Sequence, residues 1–319
     1  MGSTQFQFDL GHGRSAYVHA WLPTTAPRAA VEIVHGMAEH GARYARLGSA
    51  LAAHGHAVYA ADLPGHGRSV RDAAELGHVA DRDGWRLSLS AIHALRGEIE
   101  RRHVDVPLVL LGHSRGSFLL QHYLFEHGSG LAGAVFSAGT ADLGPLRALG
   151  LLLMRIEARF LGGAHRSALA EALTFKAFNR HFKPTRTDFD WLSRDAAEVD
   201  AYVRDPLCGF RCSAALWIEL LEAGGQLRDA RRLARIPKTL PVLLLNGAAD
   251  PACRFESGAR TLATLYRDAG LRDVTQHVYA DARHELFNDV CRDQVTQDLI
   301  AWLASRTSNQ EPKRTLSAA

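Results

Sequence analysis

The sequence has little cysteine, four residues in 319. Cys208 and Cys212 lie close together, but no second pair completes a zinc site, and four thiols in so long a chain do not build a disulfide framework. Reduced thiols are the expectation. Charge of one sign is also missing: 37 basic residues against 34 acidic ones leave a net +3. The basic residues are scattered, which argues against a nucleic-acid partner. The longest apolar run, around Leu149–Met154, is far too short to cross a bilayer. Met1–Leu10 has no basic flank followed by an apolar stretch, so no signal peptide is read. There is no internal repeat and no low-complexity segment. These absences point to a cytoplasmic protein without an integral membrane segment.

What is present alternates. Short apolar or β-branched runs stand at Ser15–Leu22, Ala30–Val34, Ala57–Ala60, Pro107–Leu111, Ala132–Ser137, Pro241–Leu245 and Val274–Tyr279. Several are apolar almost throughout, as strands covered on both faces of a parallel sheet are. Helical periodicities lie between them. Trp85, Leu89, Ile92, Leu95 and Ile99 recur at three- and four-residue steps, as do Phe287, Cys291, Val295, Leu299 and Trp302. Two further segments end in Gly55 and Gly128, which suits helix C-caps. The alternation predicts a doubly wound, mostly parallel α/β sheet. It fails once, between Thr140 and about Ile236, a stretch rich in Leu, Ala and Arg with six aromatics from Phe160 to Trp191. A helical insertion there lies over the edge of the sheet where ligands bind, so it reads mainly as a cap. From Thr307 the chain is polar and unpatterned, as a frayed tail is.

The strongest local signal is Gly112-His113-Ser114-Arg115-Gly116. It follows an apolar strand and opens a helix, the context of a nucleophile elbow. The turn is so tight that the residues two before and two after the serine must be tiny, and both are glycine. A serine hydroxyl needs a base within hydrogen-bond reach. Of 17 histidines, chain order selects His284, because on such a sheet the partners follow as Ser, then Asp or Glu, then His. Asp250 comes just past the strand ending at Leu245, and His284 just past the one ending at Tyr279. Asp281 is the rival acid, too near the histidine to come from the preceding strand. An oxyanion hole needs two donors. The backbone N–H groups of Arg115 and Met37 fit, the latter in His35-Gly36-Met37-Ala38-Glu39-His40. His35 and His40 have no carboxylate near them in a ligand pattern, so they are expected to brace this loop rather than hold a metal. No cofactor is expected. The turn Asp62–Ser69, with its two glycines and a proline, reads as structural.

Together these segments resemble the α/β-hydrolase superfamily, in its capped branch of monoacylglycerol lipases and lysophospholipase-like esterases. The matching stretches are HGMAEHGARY from His35, DLPGHGRS from Asp62, GHSRGS from Gly112, NGAADP from Asn246 and ARHELFND from Ala282. The resemblance implies a triad of Ser114, Asp250 and His284, with oxyanion amides at Met37 and Arg115. It implies a helical cap at 141–212, inserted after the sixth strand between core segments 1–140 and 213–306, with a tail at 307–319. The implied activity is cleavage of a small-molecule ester or lipid through an acyl-enzyme on Ser114. Thioester, amide or peptide cleavage, acyl transfer and non-catalytic ligand binding are the alternatives. Arg115 departs from the branch, where the residue after the serine is usually uncharged, and it suggests a preference for anionic esters. The apolar stretch Leu146–Ile156 could touch a lipid surface, but Arg147 and Arg155 interrupt it, so packing on the core is expected.

Overall fold

The computed structural model describes residues 2–11 and 14–307. The strands are β1 (Gly2–Gly11), β2 (Arg14–Leu22), β3 (Ala29–Val34), β4 (His56–Ala61), β5 (Leu108–His113), β6 (Gly133–Ser137), β7 (Val242–Gly247) and β8 (Val274–Tyr279). They form one sheet in the order β1-β2-β4-β3-β5-β6-β7-β8. The first two pairings are antiparallel and the rest parallel. This is the expected doubly wound sheet with one strand more. The apolar pattern hides β1 because it is a half-exposed edge strand: Phe6, Phe8 and Leu10 pack on the core while Gln5, Gln7 and Asp9 face solvent. Alternation replaces a continuous apolar run there.

The helices are α1 (Ala45–Ala53), α2 (Gly84–Arg102), α3 (Arg115–His127), α4 (Arg147–Leu161), α5 (Ala168–Leu173), α6 (Phe175–Asn179), α7 (Ala196–Arg204), α8 (Ala214–Gly224), α9 (Ala230–Leu233), α10 (Phe255–Asp268) and α11 (Arg292–Thr307). Ile92, Leu95 and Ile99 of α2, Leu120 and Leu124 of α3, and Leu262 and Tyr266 of α10 close one face of the sheet. Leu47 and Leu51 of α1 with Leu299 and Trp302 of α11 close the other. Two expectations shift. The last helix begins at Arg292, so Phe287 lies in a 3-10 turn (Leu286–Asn288) before it. Gly55 has φ 87°, as a left-handed cap requires, but Gly128 is right-handed at φ −70°. The tail expected from Thr307 lies, from residue 308 on, outside the described residues.

Between β6 and β7 the chain is helical, apart from an isolated bridge between Arg166 and Ser213. Helix α8 seats Leu216, Trp217 and Leu220 against Phe118 of α3 and Met154 of α4. Helix α4 meets the expectation on one side only. Only Met154 along it is buried, and Leu146, Leu149, Leu152, Ile156, Phe160 and Leu161 are 47–80% exposed. One side of the stretch packs on the core as expected, through Met154 and the half-buried Leu153 in the cluster around α8, while its other side stays uncovered. Arg147 reaches the Leu221 carbonyl and Arg155 pairs with Glu222, so the arginines fasten α4 to α8 and leave its apolar face bare. Among the described residues no helix is long and apolar enough to cross a membrane.

Candidate active site

The parallel strands deliver the site from their C-terminal ends. Ser114 stands between β5 and α3 at φ 52°, ψ −119°, a strained conformation for a residue with a side chain. The flanking glycines are required by contact. A Cβ on Gly112 would meet the Gly116 carbonyl oxygen at 2.5 Å, and one on Gly116 would meet the Val34 oxygen at 2.0 Å. The elbow is thus wedged against β3, with its hydroxyl raised above the sheet edge.

The structure brings Ser114, His284 and Asp250 together. The Ser114 hydroxyl lies 2.8 Å from His284 Nε2, and His284 Nδ1 lies 2.8 Å from Asp250 Oδ2. The consistent proton arrangement has Nδ1–H donating to the carboxylate and Nε2 accepting from the hydroxyl. Asp250 is fully buried. Burial alone would raise its carboxyl, but the charge and hydrogen bond of His284 and the Ala252 amide outweigh that and hold it below the ordinary range. Burial likewise works to lower His284. The charge and hydrogen bond of Asp250 win, with Glu285 and Glu39 adding, and hold the ring above its usual value. Asp281, the rival acid, is exposed and makes no hydrogen bond to His284.

The loop after β3 completes the floor. The Gly36 amide donates to Glu39 Oε1 at 2.6 Å, and Tyr44 donates to the same oxygen. His35 donates from Nδ1 to the Gly36 carbonyl and accepts the Leu63 amide at Nε2, each at 2.8 Å. Burial pushes His35 down to about 4, so it stays neutral. His40 Nε2 lies 2.9 Å from Asp205 Oδ2. Both histidines brace the loop, as expected. The turn after β4 is structural too: Asp62 takes the Gly41 and Arg68 amides and faces His19. Among the described residues neither the Met37 nor the Arg115 amide has a protein acceptor. The Arg115 amide also opens α3, where unmade N–H groups favour negative charge.

The Arg115 side chain corrects the sequence reading. It is buried, hydrogen-bonds Ser88 Oγ at 3.1 Å and lies over Trp85. It does not line the cavity, so it has no reach to an anionic substrate. Burial lowers the guanidinium to about 10. The cavity holds about 310 Å³, counted out to its open mouth. Gly36, Met37, His113 and Ser114 form its floor, and Phe175, Trp191, Leu192 and Tyr202 enter from the segment above. Sequence reasoning missed His113, Glu39, Glu285 and Tyr202 as site residues. His113 sits 5.0 Å from His284, ring to ring, and is held neutral, down to about 3, chiefly by burial. The Trp191 ring lies 4.8 Å from the His284 ring, tilted by 40°. Arg43 binds Glu285 through both terminal nitrogens and also pairs with Glu39, so it ties the base's loop to the loop of Met37. The spacing in HGMAEHGARY carried that signal, since Glu39 and Arg43 stand four apart.

Fold and site geometry together define an enzyme of the α/β-hydrolase class, of the serine-hydrolase kind. The sequence signature of the family described as serine aminopeptidase, S33, matches residues 25–290, and the chain belongs to that family. It is 28% identical to the human monoglyceride lipase over 94% of this chain and 92% of that one. It is 29% identical to a monoacylglycerol lipase of Mycolicibacterium smegmatis over 89% and 91%. A highly thermostable carboxyl esterase from Bacillus coagulans shares the fold, with a TM-score of 0.87 at 23% identity, over 96% of this chain and 99% of that one.

Proposed function

We propose that this hydrolase cleaves carboxylic esters of the monoacylglycerol or lysophospholipid kind through an acyl-enzyme on Ser114. The observation that carries the reading is the unbroken relay of two 2.8 Å contacts from Ser114 through His284 to Asp250. The Ser114 oxygen bonds to the carbonyl carbon as its proton passes to His284 Nε2. The carbonyl electrons move onto an oxygen received by the Met37 and Arg115 amides, an arrangement commonly worth about 10²–10³ in rate. The tetrahedral species collapses, the C–O bond to the alcohol breaks, and the alcohol leaves with the His284 proton. Water repeats the sequence against the acyl-enzyme and frees the acid. Residues 141–212 serve as the cap.

Ester chemistry is favoured over aminopeptidase chemistry by the cavity's carboxylates. An aminopeptidase needs an acid to receive the substrate ammonium. Glu39 is occupied by Gly36, Tyr44 and Arg43, and Glu285 by Arg43. The apolar upper wall suits an acyl chain. The bare face of α4, flanked by Arg147, Arg155 and Arg159, supports transient contact with a lipid surface as the source of substrate.

The test is a fluorophosphonate probe followed by a p-nitrophenyl ester series set against aminoacyl-naphthylamides. Wild type is expected to label and to prefer the esters, and Ser114→Ala to do neither, with about a 10⁶-fold loss of turnover. A wild type that resists the probe would overturn the mechanism. Faster turnover of the naphthylamides would overturn the substrate class.

A further inference from the structure

We infer that His40, Asp205 and Cys208 form a binding site for a borderline divalent cation of the zinc class, joining the loop after β3 to the turn after α7. Their ligand atoms, one nitrogen, one oxygen and one sulfur, all lie within 4.8 Å of one another. Imidazole, carboxylate and thiolate are the ligands such ions take, and three of them leave a fourth tetrahedral position for water. The inference goes beyond the ester chemistry and does not depend on it.

The sequence reading set a metal aside because His35 and His40 span only six residues of one loop with no carboxylate in a ligand pattern. The fold supplies one from 165 residues away, with a thiol three residues further on. Cys208 is the independent observation. Its residue is nine-tenths buried, and among the described residues its sulfur makes no hydrogen bond, although it faces two polar side chains. The Asp205 side chain is 31% exposed, which gives an ion a way in.

The ligands are already held in place. Asp205 Oδ1 takes the Leu207 amide at 2.8 Å, which leaves Oδ2 to face His40. The Ala38 carbonyl accepts both the Gly209 amide and the Tyr202 hydroxyl, so the two segments are pinned together without an ion. Binding therefore needs little ordering of the chain. Behind the ligands, the carboxylates of Glu39 and Glu285 outnumber the one guanidinium, Arg43. His40 is also within 4.8 Å of ligand atoms of His19 and Asp62. When the ion binds, the Cys208 thiol gives its proton to solvent as the sulfur–metal bond forms. His40 keeps its ring proton on Nδ1 and offers the Nε2 lone pair. Asp205 exchanges its contact with His40 for the ion. A second cluster, Asp250, Cys253 and His284, is as close, but all three are buried and two already bond to each other in the relay.

The test is a titration of the full chain with Co²⁺ in a thiol-free reductant, read by absorbance. Wild type is expected to take one equivalent with a thiolate-to-cobalt charge-transfer band, which Zn²⁺ then displaces. Zn²⁺ should also raise the Tm by several degrees, since an ion that binds only the folded chain stabilises it. Cys208→Ser should lose the band while keeping its ester turnover, which shows that it folds. Asp205→Asn should weaken binding at least tenfold, and Ser114→Ala should bind as wild type does. The absence of a band in wild type would overturn the site. So would a band that survives Cys208→Ser, or one lost in Cys253→Ser instead.

Discussion

Below the cavity, the loops after β3, β5, β7 and β8 hold their side chains in hydrogen bonds and leave the Met37 and Arg115 amides without a protein acceptor among the described residues. Above it, the segment between β6 and β7 leaves five large apolar side chains uncovered along α4, and Leu146 just before it. The floor is over-determined. Gly116 has no room for a methyl group, Asp250 has no contact with water, and Glu39, Arg43 and Glu285 link the serine's side of the cavity to the histidine's. The roof touches the core mainly through α8 and a cluster around Trp191 and Tyr202. The difference separates two tasks. Charge has to develop at fixed dipoles that do not rearrange during the reaction. On the proposed reading an apolar substrate has to enter from somewhere, and bare apolar surface is how a chain meets one.

The strongest way to break this comparison is at the floor. Asp250→Asn keeps the shape of the side chain and removes its charge. If the buried carboxylate holds the imidazole in the right tautomer and stabilises its cation, kcat should fall by about 10⁴ with KM nearly unchanged. A loss below tenfold would mean that the relay is not the engine of the site, and the rigidity of the floor would then be a matter of folding alone.

A pH profile sharpens the same side. His284 acts as a base only when unprotonated, and Asp250 holds the ring above the usual histidine value of about 6.5 against the pull of burial. Turnover should therefore rise with pH through a midpoint above 6.5 and fall about tenfold for each unit below it. In Asp250→Asn the remaining activity should show that midpoint shifted down, because the largest raising influence is gone. The neighbouring His113, buried without a carboxylate bonded to its ring, should contribute no step near neutrality. A wild-type midpoint at or below 6.5 would contradict the electrostatics of the floor.

The floor was also the legible part of the sequence. Ser114, Asp250 and His284 stand at strand ends, where the apolar runs stop and Gly, Asp and His begin, so order along the chain located them. The roof was not legible in the same way. The apolar stretch Leu146–Ile156 does not show what covers it, and two arginines that fasten the helix looked like interruptions of a buried one. Arg115 misled for a related reason. A charge beside the nucleophile suggests a substrate contact, but its direction depends on α2, which presents Ser88 and Trp85 to it. Partners distant in sequence decided each of these cases, as they did the meeting of His40 with Asp205.

The smallest expected effect tests the roof. Leu152 and Phe160 are 54% and 80% exposed, so Leu152→Asp and Phe160→Asp should cost little stability. With a short, water-soluble ester their combined variant should keep kcat/KM within about twofold, because neither side chain lines the cavity. With a monoacylglycerol presented in vesicles the outcome should differ. Two large apolar side chains are worth about 3 kcal/mol on leaving water, and part of that is available at a lipid surface, so vesicle binding and turnover should fall at least tenfold. A loss of the same size on both substrates would mean that α4 supports the site rather than the encounter. No loss on either would mean that substrate arrives by another route, and the contrast between a fixed floor and an exposed roof would then have no part in catalysis.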